Sequence, residues 1–144
     1  MTGLRPFFSY YGGKWAIARR YPAPLFDSIV EPFAGSAGYS LRYVARAVTL
    51  IDSYPAVVGT WRYLISVTPE EIRRLPLIEA GQRVDDLPVC QEARWLIGWW
   101  TNKAAATPHQ TLSAWAREAR YARQFWGPEG VWIGGSSSSR VGAA

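Results

Sequence analysis

Residues 28–55 read SIVEPFAGSAGYSLRYVARAVTLIDSYP, and this stretch decides the fold. Ser28-Ile29-Val30 is a strand-like run that gives way at Glu31-Pro32, because proline cannot extend a central ladder. Gly35-Ser36-Ala37-Gly38 makes a tight connection, and Tyr39 to Arg46 reads as a helix after that turn. Val48-Thr49-Leu50-Ile51 is a second strand, β-branched and apolar, closed by Asp52. Pro55 suits the first turn of another helix, running to Ile65. Strand, glycine turn, helix, strand, acid, helix is the opening of a parallel α/β sheet. The expected class is α/β: the N-terminal part of a Rossmann-like sheet, followed by a mostly helical segment.

Downstream, Thr68-Pro69-Glu70-Glu71 has the features of a helix start: a hydroxyl cap, proline at the first position and acids near the positive end of the helix dipole. Leu75-Pro76 ends that short helix, and Ala80 to Pro88 is a polar loop. Val89, Ala93, Leu96, Trp99 and Trp100 recur at helical spacing and predict a helix over 89–103. Trp95, Trp99 and Trp100 are expected to pack in the core, with stacking on bases as the alternative. Ser113 to Gln124 predicts a last helix with Arg117 and Arg120 on one face. The Gly/Ser-rich stretch from Gly134 to Ser139 cannot pack a core. Three parts are expected: 1–66, the sheet-forming part; 67–129, a helical insert; and 130–144, a flexible Gly/Ser-rich tail.

Composition narrows the classes. Hydrophobic residues at 49% and charged residues at 19% are the balance of a globular domain. The net charge of +5 permits a polyanionic partner without requiring one. Cys90 is the only cysteine and His109 the only histidine, which excludes an intrachain disulfide and argues against a metal centre. Cys90 is expected to be a small buried hydrophobe and His109 to be exposed. Neither an apolar leader nor a run of membrane-spanning length is present, so a cytoplasmic protein is expected.

Two constellations carry chemistry. In the first, glycines follow a first strand and Asp52 stands 21 residues after Glu31. Such glycines let a ligand approach the backbone, and an acid at the tip of the second strand accepts hydrogen bonds from ribose hydroxyls. In the second, Pro6-Phe7-Phe8-Ser9-Tyr10-Tyr11-Gly12-Gly13-Lys14, a glycine bend leaves the Lys14 ammonium beside exposed amides. That suits a carboxylate or phosphate, while Tyr10 and Tyr11 offer flat faces to a ring or a sulfonium. An ordinary strand-to-helix turn and an aromatic arm packed on the sheet are the structural alternatives.

Taken in order, Tyr-Tyr-Gly-Gly-Lys (10–14), Glu-Pro-Phe-Ala-Gly-Ser (31–36) and an apolar strand ending in Asp52 resemble the Dam-like class of DNA adenine-N6 methyltransferases, compact phage-type members included. The match covers residues 6–65. The resemblance implies a Rossmann-like methyltransferase with S-adenosylmethionine as cofactor. Tyr10, Tyr11, Gly12, Gly13 and Lys14 would lie at the methionine end, with Lys14 on its carboxylate. Glu31, Pro32, Phe33, Ala34 and Gly35 would line the cleft, and Asp52 would hold the ribose. It also implies double-stranded DNA as partner and residues 67–129 as a target-recognition region. Asn102, Lys103, Arg117, Arg120 and Arg123 are the candidates for contact with nucleic acid, with a solvated basic surface as the alternative.

The family's methyl-transfer motif is Asp-Pro-Pro-Tyr, and the 144 residues contain no Pro-Pro pair. No catalytic residue is therefore assigned. The expectation is an adenine-N6 methyltransferase that is incomplete as it stands. The alternatives are an inactive cofactor- or DNA-binding remnant, or half of a split enzyme whose missing catalytic half comes from a second polypeptide. Two strands cannot cover the apolar faces of several helices, and eight Trp with eight Tyr need burial. The isolated chain is thus expected to be marginally stable or aggregation-prone. A sharp, reversible calorimetric melt of the monomer would contradict this.

Overall fold

The computed structural model describes residues 4–118. Arg120, Arg123, the predicted helix beyond 118 and the 130–144 tail lie outside the described residues. Two strands, β1 (Ser28–Pro32) and β2 (Ala47–Ile51), form a parallel sheet. Around them, in chain order, run α1 (Gly38–Tyr43), α2 (Pro55–Ser66), α3 (Pro69–Arg73), α4 (Gln91–Trp100) and α5 (Ala114–Glu118). The architecture is mixed α/β, as the alternation of elements in 28–65 predicts.

Element ends differ from the sequence reading in instructive ways. β1 runs through Glu31 to Pro32, which pairs with Ile51. Ala47 donates its N–H to the carbonyl of Asp27, so the odd-numbered residues of β1 direct their hydrogen-bonding groups toward β2. The nitrogen of Pro32 therefore faces the outer edge, where among the described residues no strand needs its missing proton. α1 is shorter than predicted because Val44 takes a left-handed conformation, φ +46°, and its N–H closes on the carbonyl of Ser40. At α3 the cap works as expected: Thr68 Oγ1 accepts from Glu71 N at 3.2 Å, and Glu71 Oε2 accepts from Thr68 N at 2.8 Å. The latter bond holds the Glu71 carboxyl below its usual range.

Among the described residues only one face of the sheet is covered. Ile29 and Glu31 point toward the helices and are buried, whereas Val30 on the opposite face is 63% exposed and its neighbour Ile51 is 51% exposed. Parallel sheets normally have both faces packed. The apolar patch expected from a two-stranded sheet is present.

The main core lies between α2 and α4, away from the sheet. Trp99 is fully buried and its indole N–H donates to Thr60 Oγ1 at 3.2 Å. Gly59 lets the two helices close, since a Cβ there would stand 2.2 Å from the Trp95 ring. The N-terminal arm threads into this core. Phe8 is 0% exposed and stacks on Trp99 with ring centroids 5.5 Å apart, and Trp100 Nε1 donates to the carbonyl of Phe7 at 2.8 Å. The tryptophans pack rather than project, and the arm they hold carries the glycine bend. Cys90 is exposed at the N-cap of α4 rather than buried, because the chain reaches α4 in an extended conformation that leaves the cap on the surface. No helix among the described residues is long and apolar enough to cross a membrane.

Phe8→Ala should lower the free energy of unfolding by about 3–5 kcal/mol, the usual range for deleting a buried aromatic ring. Urea titration followed by tryptophan fluorescence measures it. A loss under about 1 kcal/mol would mean that the arm is not part of the core.

Candidate functional site

The end of β1 turns through a strained bend. Phe33 has φ +56° and Gly35 φ +50°, followed by Ala37 at φ +51°. A residue with a side chain in this region costs about 1–2 kcal/mol, so Phe33 must be held there by its surroundings. Two side chains from distant parts of the chain hold it. Lys14 Nζ donates to the carbonyl of Phe33 at 2.6 Å, and Asp52 Oδ2 accepts from the N–H of Gly35 at 2.9 Å. The other Asp52 oxygen accepts from Tyr54 N at 2.9 Å, fixing the start of α2. Trp61 closes the bend from the core side, its indole donating to the carbonyl of Gly35 at 2.7 Å.

Glycine is required at specific points here. A Cβ on Gly35 would meet the Tyr10 ring at 2.9 Å, and one on Gly38 would meet the backbone N of Trp15 at 2.2 Å. The Lys14–Trp15 backbone therefore crosses directly over the start of α1. Tyr10 lies on Gly35 with its ring edge-on to Trp99, 5.4 Å between centroids. Burial, together with the Asp52 charge and the Tyr54 phenol nearby, raises the Tyr10 phenol above its ordinary value. It stays a neutral donor across the physiological range.

Of the residues expected to form the site, Tyr10, Lys14, Phe33, Ala34, Gly35 and Asp52 meet at this bend. Pro32 precedes it on the outer strand edge. Glu31 stands behind it: 4% exposed, it accepts from Tyr39 N, Ser40 N and Ser40 Oγ, at 3.2, 3.0 and 2.6 Å. Its carboxylate neutralises the first turn of α1 instead of lining a cleft. Tyr11 is carried outward by the turn in which Gly13 N donates to the carbonyl of Tyr10 at 3.0 Å, Gly12 being at φ +72°. Its ring is 71% exposed.

A cavity of about 600 Å³ opens beside Asp52, between α1, the helix-facing side of β2 and α2. Leu41, Val48, Leu50, Val57 and Trp61 are among its apolar lining residues, and Asp52 and Arg62 are the charged residues in it. Ala34 and Asp52 are the two cofactor candidates that line it; Tyr10 and Lys14 are not among its lining residues.

The candidates for nucleic-acid contact divide. Asn102 is half-buried, with its amide 3.0 Å from His109 Nε2 and its Oδ1 accepting from Lys103 N. His109 is itself half-buried, not exposed as predicted, because that loop folds back on α4. Lys103 is exposed, its ammonium 6.0 Å from the Trp115 ring centroid, and Arg117 is exposed on α5. The loop after α4 joins the glycine arm: Tyr11 N donates to the carbonyl of Ala105 at 3.0 Å, and Ala104 N to Ser9 Oγ at 2.8 Å. No group of three or more His, Cys, Asp or Glu suited to a metal ion occurs among the described residues.

No family model, curated protein or solved structure matches this chain.

Sequence reasoning found Gly38 as part of the Gly35–Gly38 connection but did not find Trp15 or Trp61. The guanidinium carbon of Arg42 lies 5.0 Å from the Trp15 ring centroid and that of Arg5 lies 5.3 Å away, and the Trp15 indole donates to the carbonyl of Leu4. These contacts fasten the arm to α1. Trp15 and Trp61 gave no signal, since their indoles bond to backbone carbonyls.

Glu31→Ala should destabilise the chain by about 2–3 kcal/mol, since it leaves two amides and a hydroxyl without an ionised acceptor. Chemical denaturation measures this. A change within 0.5 kcal/mol, roughly the scatter of neutral surface substitutions, would rule out a supporting role for the carboxylate.

Proposed function

We propose that the chain is the S-adenosylmethionine-binding part of a Rossmann-like DNA adenine-N6 methyltransferase. The single observation that carries this is the convergence of Lys14 and Asp52 on one bend, on the Phe33 carbonyl and the Gly35 amide. An ammonium and a carboxylate are thus both tied to one glycine turn at the ends of parallel strands, where α/β sheets bind ligands.

The donor set fits the cofactor. Lys14 uses one of its three protons on Phe33 and has others to give a carboxylate. Each Asp52 oxygen accepts one amide and keeps a lone pair for a ribose hydroxyl. The apolar wall next to Asp52 suits a purine rather than a phosphate. Tyr10, a neutral phenol at the bend, adds a flat face beside the methionine end. S-Adenosylmethionine, when bound, supplies an electrophilic methyl group on sulfonium. The work of these residues is to bind and orient it.

Attack by adenine N6 requires acceptors of the Asp-Pro-Pro-Tyr kind, and no Pro-Pro pair occurs in the sequence. The uncovered sheet face at Val30 and Ile51 favours a second reading, in which another polypeptide completes the sheet and brings the catalytic motif. Methyl transfer from labelled cofactor to unmethylated duplex DNA separates the two. Transfer by the chain alone removes the need for a second polypeptide.

Isothermal calorimetry with S-adenosylmethionine tests the cofactor. Lys14→Ala and Asp52→Ala should each weaken binding by about 1–3 kcal/mol, the value of charge-assisted hydrogen bonds. Both side chains also brace the bend, so thermal melts of the free variants accompany the titrations. Unchanged affinity in both variants would defeat the assignment.

A further inference from the structure

We infer that the outer edge of β2 accepts an extended strand from a second polypeptide, with its apolar side chains in the cavity beneath α2 and a carboxylate on Arg62. This contact rests on the reading in which another polypeptide completes the sheet.

Hydrogen bonding leaves that edge open. Ala47 N donates to the Asp27 carbonyl, and the Ile51 carbonyl accepts from Ala34 N, so the odd-numbered residues of β2 bond toward β1. Val48 and Leu50 therefore aim their N–H and C=O groups outward, where no strand pairs with them among the described residues. Exposed edges are usually protected by charge or proline. The run of β2, AVTLI, contains neither. β1 differs, because its outer edge ends at Pro32, which has no proton to give a further strand. Strand addition is thus favoured at β2.

The side chains beside this edge suit an apolar strand. Val48 and Leu50 lie on the helix-facing side and line the cavity, together with Leu41, Val44, Trp61 and Ile65. Val48, Val44 and Ile65 are 42%, 54% and 76% exposed, so this wall stands open to water. Backbone pairing with β2 would set every second side chain of an added strand on that side. Charge specifies the strand further. Arg62 lines the same cavity, is exposed and makes no ion pair among the described residues. An acid on the added strand supplies its partner. The ligand proposed at Asp52 is not displaced. Val48 is about 13 Å of strand from Asp52, and Ile65 about 15 Å of helix from Pro55. The lining therefore extends well beyond the Asp52 end, with room for strand side chains farther along.

Amide hydrogen exchange followed by NMR on the full-length chain tests this. Alone, Val48 and Leu50 should exchange about tenfold faster than Thr49, which faces β1. A synthetic peptide of alternating valine and threonine, with aspartate in place of its first valine, should slow both by about tenfold and leave Val30 unchanged. Arg62→Glu should weaken peptide binding about tenfold, and lysine in place of the aspartate should restore it. Protection of Val30 instead would move the contact to β1 and overturn the proposal. So would absence of protection with peptide at about 1 mM, the weakest range of specific association. Slow exchange at Val48 and Leu50 without peptide would mean that the chain covers its own edge. Protection that grows with chain concentration would mean that a second copy does. Either result overturns the proposal. Methyl transfer by the chain alone would remove the second-polypeptide reading and leave the peptide result standing. A second polypeptide that restores transfer without protecting Val48 and Leu50 would sink this contact and leave that reading intact.

Discussion

The left-handed bend from Phe33 to Gly35 is the constraint on which the rest of the site depends. Phenylalanine does not hold φ +56° unaided, and the two clamps come from opposite directions along the chain. Lys14 arrives on the N-terminal arm and Asp52 at the tip of β2. For Lys14 to reach, the arm must be anchored, which Phe8 does in the aromatic core and Trp15 does against α1. For Asp52 to reach, β2 must lie in register beside β1, with Pro32 opposite Ile51. A ligand between those two charges would therefore report on the core, the sheet and the arm together.

Much of this was legible in the sequence, and the reasons are physical. β2 and α2 follow from local chemistry: a β-branched run, a closing acid and a proline at a first turn. The Thr68 cap follows from a hydroxyl placed three residues before a carboxylate. Tryptophan at helical spacing told of packing, and Trp99 and Trp100 are buried in the core. The extension of β1 through Pro32 was not legible, because it turns on which strand edge faces the partner. Nor was the inward role of Glu31. An acid next to a glycine loop looks the same in sequence whether it faces a ligand or the first amides of α1.

The junction between the arm and the loop after α4 was the least readable part. Its bonds run from Ser9 to Ala104 and from Tyr11 to Ala105, small or backbone partners with no pattern of their own. Yet it brings the loop that carries Lys103 beside the Tyr10–Lys14 segment.

The exposed thiol at the start of α4 has a practical consequence. Cys90 is the chain's sole sulfur nucleophile, so oxidation in air can only link one copy to another through that position. Covalent dimers on a non-reducing gel would record surface chemistry at a helix cap rather than an association interface. The same solitary thiol accepts a maleimide dye at a known place without any mutation, providing an optical reporter on the helix that holds the N-terminal arm.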